Sequence, residues 1–569
     1  MRIKILQIAF GCVFVFLCLG LFYFQVIQFG RYRQLSESNR IRLIPQEGTR
    51  GRILDRNGVV IIDNRLSYNV LLLPQQNGDI KQTLSRLADI LGVPGEYIRS
   101  RYRQGGYSFF TPVVLAEKID KKNAMIIEEL KSELPGVIIQ TVPQRYYPYG
   151  SLAVHITGYL GEIDQWRLMQ LRNYGYRSKD IIGYGGIEER YDYYLRQEEG
   201  GLQVEADSRG KIIRVIGFRP PRSGKDIQLT VDLRIQKIIE EALNGNKGAV
   251  IIIDSYGGEI LGMASFPNFD PTVFLNKSDS TQDILDDPGA PLLNRAISGA
   301  YPLGSVFKIV VAAAGLETKK IDVSTTFNCP GSIKLGNREY ACWDKHGSQD
   351  IIAAITHSCN VFFYRLGLLL GPDKIYKYAL RLGFGKRAKI DLPSESSGFV
   401  PNPLSKRLTR FENWYPGDTA NFSIGQGDLL ATPLQAVRAM AGIANEGYLP
   451  RPHLIKAIDG REVNAYKKIT SPLNFPREVL EPIKTGLRQV AGNPDGTANI
   501  LADSALSVSG KTGTAQVGSR QPHAWFVGYF PAKGTSYAVC VFLEHSGHSI
   551  NACVVTKKII EAMKQEGLL

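Results

Sequence analysis

Apolar and polar positions divide this chain into three stretches with different periods. From Ile5 to Gly30 there is no charged residue, and an apolar run of that length predicts a membrane-spanning helix. Arg2 and Lys4 precede it, and no small-x-small cleavage site follows the apolar core. An uncleaved signal anchor over 5–29, with 1–4 as a cytoplasmic tail, is therefore expected rather than a removed signal peptide. Phe16 and Leu17 before Cys18 are too bulky for lipidation of that cysteine. Arg31, Arg33, Arg40 and Arg42 lie beyond the span, against the positive-inside tendency. Long domains translocate largely regardless of charge, so residues 31 onward are expected outside the cytoplasm.

Residues 31–60 read as a polar helix leading into RGRILDRNG, a strand closed by an Asn57-Gly58 hairpin turn before Val59–Ile62. Over 61–220 short β-like runs (YNVLLLP, PGVIIQTV) alternate with charged helical stretches (IKQTLSRLADILG, AEKIDKKNAMIIEELKSEL). Gly183-Tyr184-Gly185-Gly186 reads as a loop. This half has no clustered histidine, cysteine or carboxylate set, so an interaction or pedestal role over 30–220 is its default reading. A boundary is expected at Arg219-Pro220-Pro221-Arg222-Ser223-Gly224. Beyond it, over 225–565, LTVDLRIQKIIEEALN is a strand then a helix, GAVIIIDSYGGEILGMAS is a hairpin, and VVTKKIIEAMKQEG is a closing helix. An antiparallel sheet with helices packed on it makes the class α+β.

Composition adds little: 44% hydrophobic and 21% charged residues are ordinary for globular protein. The formal charge of +14 suggests attraction to an anionic surface. For an extracytoplasmic chain that surface is lipid head groups or wall polymer, not nucleic acid.

Candidate chemistry lies in three short segments: Ser305-Val306-Phe307-Lys308, Ser358-Cys359-Asn360 and Lys511-Thr512-Gly513-Thr514. The first sits where a Pro/Gly turn runs into an apolar helical pattern, which puts a serine at a helix start and a lysine one turn later on the same face. A serine hydroxyl needs a base within reach, and a neutral amine serves. Burial and the cationic neighbour Lys511 would keep that amine neutral. Each motif has decoys here: Ser208-Arg209-Gly210-Lys211, Ser67-Tyr68-Asn69, Ser549-Ile550-Asn551 and Lys484-Thr485-Gly486. Context separates them. Ser208 lies in a polar stretch, and Lys484 lies inside an amphipathic helical pattern. Lys511 instead lies between strand-like runs suited to an active-site edge strand.

With those residues in hand, the chain resembles the class B penicillin-binding proteins, most closely the penicillin-binding protein 2 (MrdA) family. The likeness runs through the single span, RGRILDRNG, GIEERYDYYLRQEEG, GSVFK, SCN, FSIGQGDLLATPLQ and SGKTGTAQ. It implies an elongated pedestal, a penicilloyl-serine transferase domain and peptidoglycan D,D-transpeptidase activity in cell elongation at the cytoplasmic (inner) membrane. It also implies stem peptides and β-lactams as ligands, with a membrane glycan polymerase of the RodA type and elongation-complex proteins as partners. Carried over by residue, Ser305 attacks the D-Ala–D-Ala carbonyl, Lys308 takes its proton, Ser358 relays a proton, and Asn360 holds the donor side chain. Lys511 and Thr512, in the strand with Gly513 and Thr514, bind the donor carboxylate. Backbone N–H groups of Ser305 and Thr514 form the oxyanion hole.

The cysteines leave alternatives open. Cys329, Cys342, His346 and Cys359 form C-x12-C-x3-H-x12-C, a ligand set suited to structural zinc. In some members of the resembled family Asp, Asp, His and Cys bind zinc at matching places, so Cys329 and Cys342 would replace two aspartates. A Cys329–Cys342 disulfide suits the compartment too, and buried free thiols are the third reading. His155, His357, His453, His523, His545 and His548 form no Ser-His-Asp order. Rival readings stand beside transpeptidation in elongation: a carboxypeptidase or β-lactamase on the same fold, a division-type paralogue, and a scaffold in which RGRILDRNG is an interface.

Overall fold

The computed structural model describes residues 2–32, 41–72, 79–105, 112–206, 212–276, 280–463, 471–504, 506–532 and 534–569. The decoy Ser208-Arg209-Gly210-Lys211 lies outside the described residues. Among them, Ile5–Ile27 is the one helix long and apolar enough to cross a membrane, and none of it is buried.

The chain forms two compact units. One comprises Met1–Gly51, Asp63–Tyr146 and Arg196–Lys225, the other Arg52–Ile62, Tyr147–Leu195 and Asp226–Leu569. The break at Lys225 follows the Pro/Gly segment 219–224. Two segments inside 30–220, namely 52–62 and 147–195, group with the C-terminal unit.

In the first unit the part of the strand Val60–Leu72 from Asp63 onward pairs antiparallel with Val113–Ile119 and Val137–Tyr146. Helices Ile80–Leu91 and Gly95–Gln104 cover it, sealing a core that includes Val70, Leu72, Leu87, Ile98 and Leu115. Asp79 starts the first helix by accepting from the N–H groups of Lys81 and Gln82. A second sheet aligns Ile41–Gln46 with Gly200–Ala206, and that strand with Ile212–Arg219. This corrects the polar helix expected ahead of the RGRILDRNG strand. Helix persists only to Tyr32, 33–40 lie outside the described residues, and 41–46 are extended because a partner some 160 residues on supplies their ladder.

In the second unit the Ile53–Leu54 strand, the Asn57-Gly58 turn and the return at Val60 form as expected. The Asp55 carboxylate, almost fully buried, accepts from the N–H groups of Asn57 (2.7 Å), Val59 (2.8 Å) and Leu233 (3.2 Å). Asp55 is thus spent inward, while Arg52 and Asn57 of the same stretch stay exposed. The glycine cluster is also corrected: Ile181–Tyr184 is a strand paired with Tyr159–Glu162, and only Gly185 and Gly186 make the turn.

The C-terminal sheet is antiparallel in the order Ile260–Phe266, Gly248–Asp254, Thr535–Leu543, Arg520–Ala532, Ser509–Val517. Gly248–Ile253 is buried on both faces, which is why its pattern is continuous rather than alternating. Helices Leu233–Leu243 and Ile550–Gln565 pack on this sheet. Ser509–Val517, the strand of Lys511, lies at its edge. Lys484-Thr485-Gly486 lies in the helix Arg477–Gly492, where a Cβ at Gly486 would stand 2.8 Å from the Ile355 Cβ. That decoy glycine serves helix packing.

Candidate active site

Gly304–Phe307 is a 3-10 turn that runs into the helix Lys308–Glu317. No side chain caps it; an almost wholly buried KIVVAAAGL face holds it instead. Gly304 has φ 56°, and a Cβ there would stand 2.6 Å from the Thr514 carbonyl oxygen. Gly513 is equally constrained, its missing Cβ lying 2.7 Å from the Leu303 carbonyl oxygen. The two glycines let the backbone around Ser305 and the edge strand approach. Gly304 N–H donates to Gly425 O (2.9 Å), Gln426 Nε2 to Thr514 O (3.3 Å), and Trp525 Nε1 to Pro302 O (3.0 Å).

The fully buried Lys308 Nζ donates to Ser358 O at 2.7 Å and Asn360 Oδ1 at 2.7 Å, and lies 3.2 Å from Ser358 Oγ. Ser358 adopts a left-handed φ of 53°, uncommon for a residue with a Cβ. Asn360 is held in turn, its Nδ2 donating to Ala341 O at 3.3 Å, where Tyr364 Oη also donates. Burial pushes the Lys308 amine down to about 8, against the opposing pull of Cys342 and Cys359. Lys511 is fully buried and is also held well below the usual lysine range, first by burial and then by Lys308. Lys511 was expected to help depress Lys308; the geometry instead gives that work to burial. An arriving carboxylate would restore charge to Lys511.

Lys511, Gly513 and Thr514 pair with Val527, Trp525 and Ala524. Thr512, buried, places its Oγ1 2.7 Å from Thr497 Oγ1. The Ser549-Ile550-Asn551 decoy begins the last helix, and its Ser549 N–H donates to Thr514 Oγ1 at 3.3 Å. Ser67-Tyr68-Asn69 lies mid-strand.

Behind Asn360, the four atoms Cys329 Sγ, Cys342 Sγ, Cys359 Sγ and a His346 ring nitrogen lie within 4.8 Å of one another. His346 Nδ1 is 3.5 Å from Cys342 Sγ and 3.7 Å from Cys329 Sγ. Neighbouring ligands on a tetrahedral zinc with bonds of about 2.0–2.3 Å have separations of this order, so the donor set fits that ion. All seven cysteines are free thiols. Cys342 Sγ accepts from the Asn360 N–H at 3.2 Å, at the start of the helix Asn360–Leu370. The Cys359 S–H and backbone N–H donors there hold the Cys342 thiol well below the usual thiol range. The histidines noted as bystanders are satisfied elsewhere: His357 Nδ1 bonds Gln349 Oε1 (2.8 Å), His155 Nε2 bonds Pro291 O (2.7 Å), and His523 Nδ1 accepts from His545 N–H (3.0 Å).

The family model for the penicillin-binding protein transpeptidase domain matches residues 248–562, and that for the penicillin-binding protein dimerisation domain matches 45–229. The chain belongs to the penicillin-binding protein family. Its relatives include the peptidoglycan D,D-transpeptidase MrdA of Acinetobacter baumannii, 33% identical over 95% of this chain and 84% of that protein. The MrdA protein of Escherichia coli is 31% identical over 95% of this chain and 90% of its own length. Among solved structures, the penicillin-binding protein PBP2 of Helicobacter pylori in complex with MreC has TM-score 0.81 and 28% identity, covering 93% of this chain and 100% of that one. In this family member, sequence reasoning missed Gln426, Thr497, Tyr364 and Trp525. Gln426 drew notice only within the family-like stretch FSIGQGDLLATPLQ and Thr497 not at all, and nothing local says which strand they meet.

Proposed function

We propose that this chain is a peptidoglycan D,D-transpeptidase that cross-links stem peptides during cell elongation through an acyl-serine intermediate. The observation that carries the reading is the Lys308 amine. It is buried one turn from Ser305, and two acceptors at 2.7 Å take two protons. A neutral amine has two N–H groups and one lone pair; with both protons placed, the lone pair faces the Ser358 hydroxyl at 3.2 Å and is the site that can accept a serine proton.

Ser305 Oγ attacks the penultimate D-Ala carbonyl carbon while its proton passes to Lys308. Charge develops on the carbonyl oxygen, and the backbone N–H groups of Ser305 and Thr514 are its donors, a contribution of on the order of 100-fold or more. The C–N bond breaks as Ser358, 3.2 Å from Lys308 Nζ, gives its proton to the departing D-Ala amine and is reprotonated by Lys308, which returns to the neutral form. An amine of a neighbouring stem peptide then attacks the ester; its proton passes to Lys308 and on to Ser305 Oγ as the ester C–O bond breaks. Asn360 orients the donor, and Lys511, Thr512 and Thr514 receive its terminal carboxylate. β-Lactams acylate the same serine.

Zinc at Cys329, Cys342, His346 and Cys359 would be structural, clamping the hairpin Ser332–Ala341 and the Ser358–Asn360 turn behind the acyl-transfer groups. The same buried thiols are a disulfide site only if oxidised.

The apolar helix Ile5–Ile27 anchors the chain in the cytoplasmic membrane, with residues 31 onward on the outer, periplasmic side where stem peptides lie. The relation to the MreC complex above supports elongation-complex partners. A solved assembly described as coordinating polymerization and crosslinking by a peptidoglycan synthase complex, 30% identical with TM-score 0.74, supports a RodA-type glycan polymerase as another.

Hydrolytic turnover by a carboxypeptidase or β-lactamase needs a base for deacylation. The buried carboxylates between the second and third motifs are committed to backbone N–H groups: Glu395 to Ala388 and Lys389, Asp391 to Leu454 and Ile455. Purified chain given pentapeptide glycan strands should form cross-linked dimers, and Ser305→Ala should form none. Release of D-Ala without dimers would point to the carboxypeptidase, and unchanged cross-linking by Ser305→Ala would remove the assignment.

A further inference from the structure

Thr512 lies on the strand that would take the donor's carboxylate, yet its hydroxyl is already engaged, 2.7 Å from Thr497 Oγ1. A hydroxyl has one proton and two lone pairs, whereas a carboxylate only accepts. If Thr512 donates to Thr497, it has nothing left to give a carboxylate. If Thr497 donates, the Thr512 proton is free for the ligand and its oxygen is polarised by the incoming hydrogen bond.

Thr497 is well placed for the donor role. It stands on the turn after the helix Arg477–Gly492, fixed by Gly496 N–H to Asn493 O (2.9 Å) and Ala498 N–H to Val490 O (2.9 Å). Asn499 Nδ2 closes the turn on Pro494 O at 2.7 Å. The same helix accepts from Thr356 Oγ1 through Gln489 Oε1 at 3.0 Å, two residues before Ser358. One helix thus braces the second motif at one point and the third motif at another.

We propose that Thr497 is a positioning residue for recognition of the donor's terminal carboxylate: it donates to Thr512 Oγ1 and so directs the Thr512 hydroxyl proton at the ligand. Thr497 touches no reacting atom, so its effect is confined to ligands that carry the carboxylate. The inference rests on the transpeptidase reading, in which Thr512 meets that group.

The test compares acylation of the full-length chain by benzylpenicillin and by benzylpenicillin methyl ester, which keeps the reactive ring but lacks the anion. Thr497→Val should slow acylation by benzylpenicillin about tenfold, the scale of one lost hydrogen bond, and leave the rate with the ester unchanged. Thr497→Ser, which keeps the hydroxyl, should restore the benzylpenicillin rate. Equal loss on both ligands would mean a merely structural role and overturn the proposal, as would no loss with benzylpenicillin, or failure of Thr497→Ser to restore it. Absence of any Ser305 adduct in the unaltered chain would instead overturn the transpeptidase reading, and the inference with it.

Discussion

Lys308 Nζ donates to the main-chain carbonyl of Ser358 at 2.7 Å, and Ser358 reaches that position with a left-handed φ of 53°. A strained backbone at the second motif therefore presents an acceptor to the amine of the first. The contact joins residues 50 apart in sequence and fixes one N–H of the amine, while Asn360 Oδ1 fixes a second.

The first consequence is a pH profile. Lys308 works as an acceptor only when neutral, and burial has brought it down to about 8. Below that value the amine is protonated; at pH 7 about one-tenth of it is neutral. The acylation rate by benzylpenicillin should rise with pH through about 8 and then level. Stopped-flow or quench measurements from pH 6 to pH 10 check this, and Lys308→Arg should lose nearly all activity along with the limb.

Stability should move in the same direction. The unfolded chain holds the Lys308 proton more tightly than the folded one, so it binds more protons between the folded value of about 8 and the ordinary lysine range. Folding stability from this group therefore increases as pH rises through that window. Denaturant melts of the unaltered chain and Lys308→Met should converge at the alkaline end and diverge toward neutrality, with Lys308→Met the more stable there.

Gly304→Ala should be far more damaging than an ordinary turn substitution. The new Cβ meets both the unfavourable φ of 56° and the Thr514 carbonyl oxygen at 2.6 Å. A cost of about 3 kcal/mol is expected, and the yield of penicillin adduct should collapse even though Ser305 and Lys308 are intact. Thermal unfolding and adduct mass read the two effects separately.

Asp55→Ala should act through folding. It strips acceptors from three N–H groups, those of Asn57, Val59 and Leu233. The expected loss is about 3 kcal/mol, with the site of acylation unchanged. A full-stability Asp55→Ala chain that fails only to bind a membrane partner would restore the view of RGRILDRNG as an interface.

Much of this was legible because the chemistry is carried by short local patterns. A Pro/Gly turn before KIVVAAAGL marks a helix start whether or not the rest of the fold is known. Likewise an amphipathic run around Lys484 marks a helix that removes its K-T-G from consideration. What could not be read were relationships settled by distant partners. Ile41–Gln46 is extended only because Gly200–Ala206 lies beside it. Thr497 and Gln426 matter only because the edge strand of Lys511 passes them, and Lys511 acts on Lys308 less than the lining that buries both.

Metal analysis addresses the cysteines. One zinc per purified chain is expected, falling sharply in Cys342→Ser together with a loss of order at Asn360. A zinc content near zero with two thiols oxidised would make the site a disulfide.

Peptide mapping of the full-length chain after reaction with labelled benzylpenicillin decides whether Ser305 is the nucleophile. One persistent adduct is expected, on Ser305, absent in Ser305→Ala and slow to form without Lys308. An adduct on any other serine, or rapid release of hydrolysed penicillin with no adduct, would contradict it.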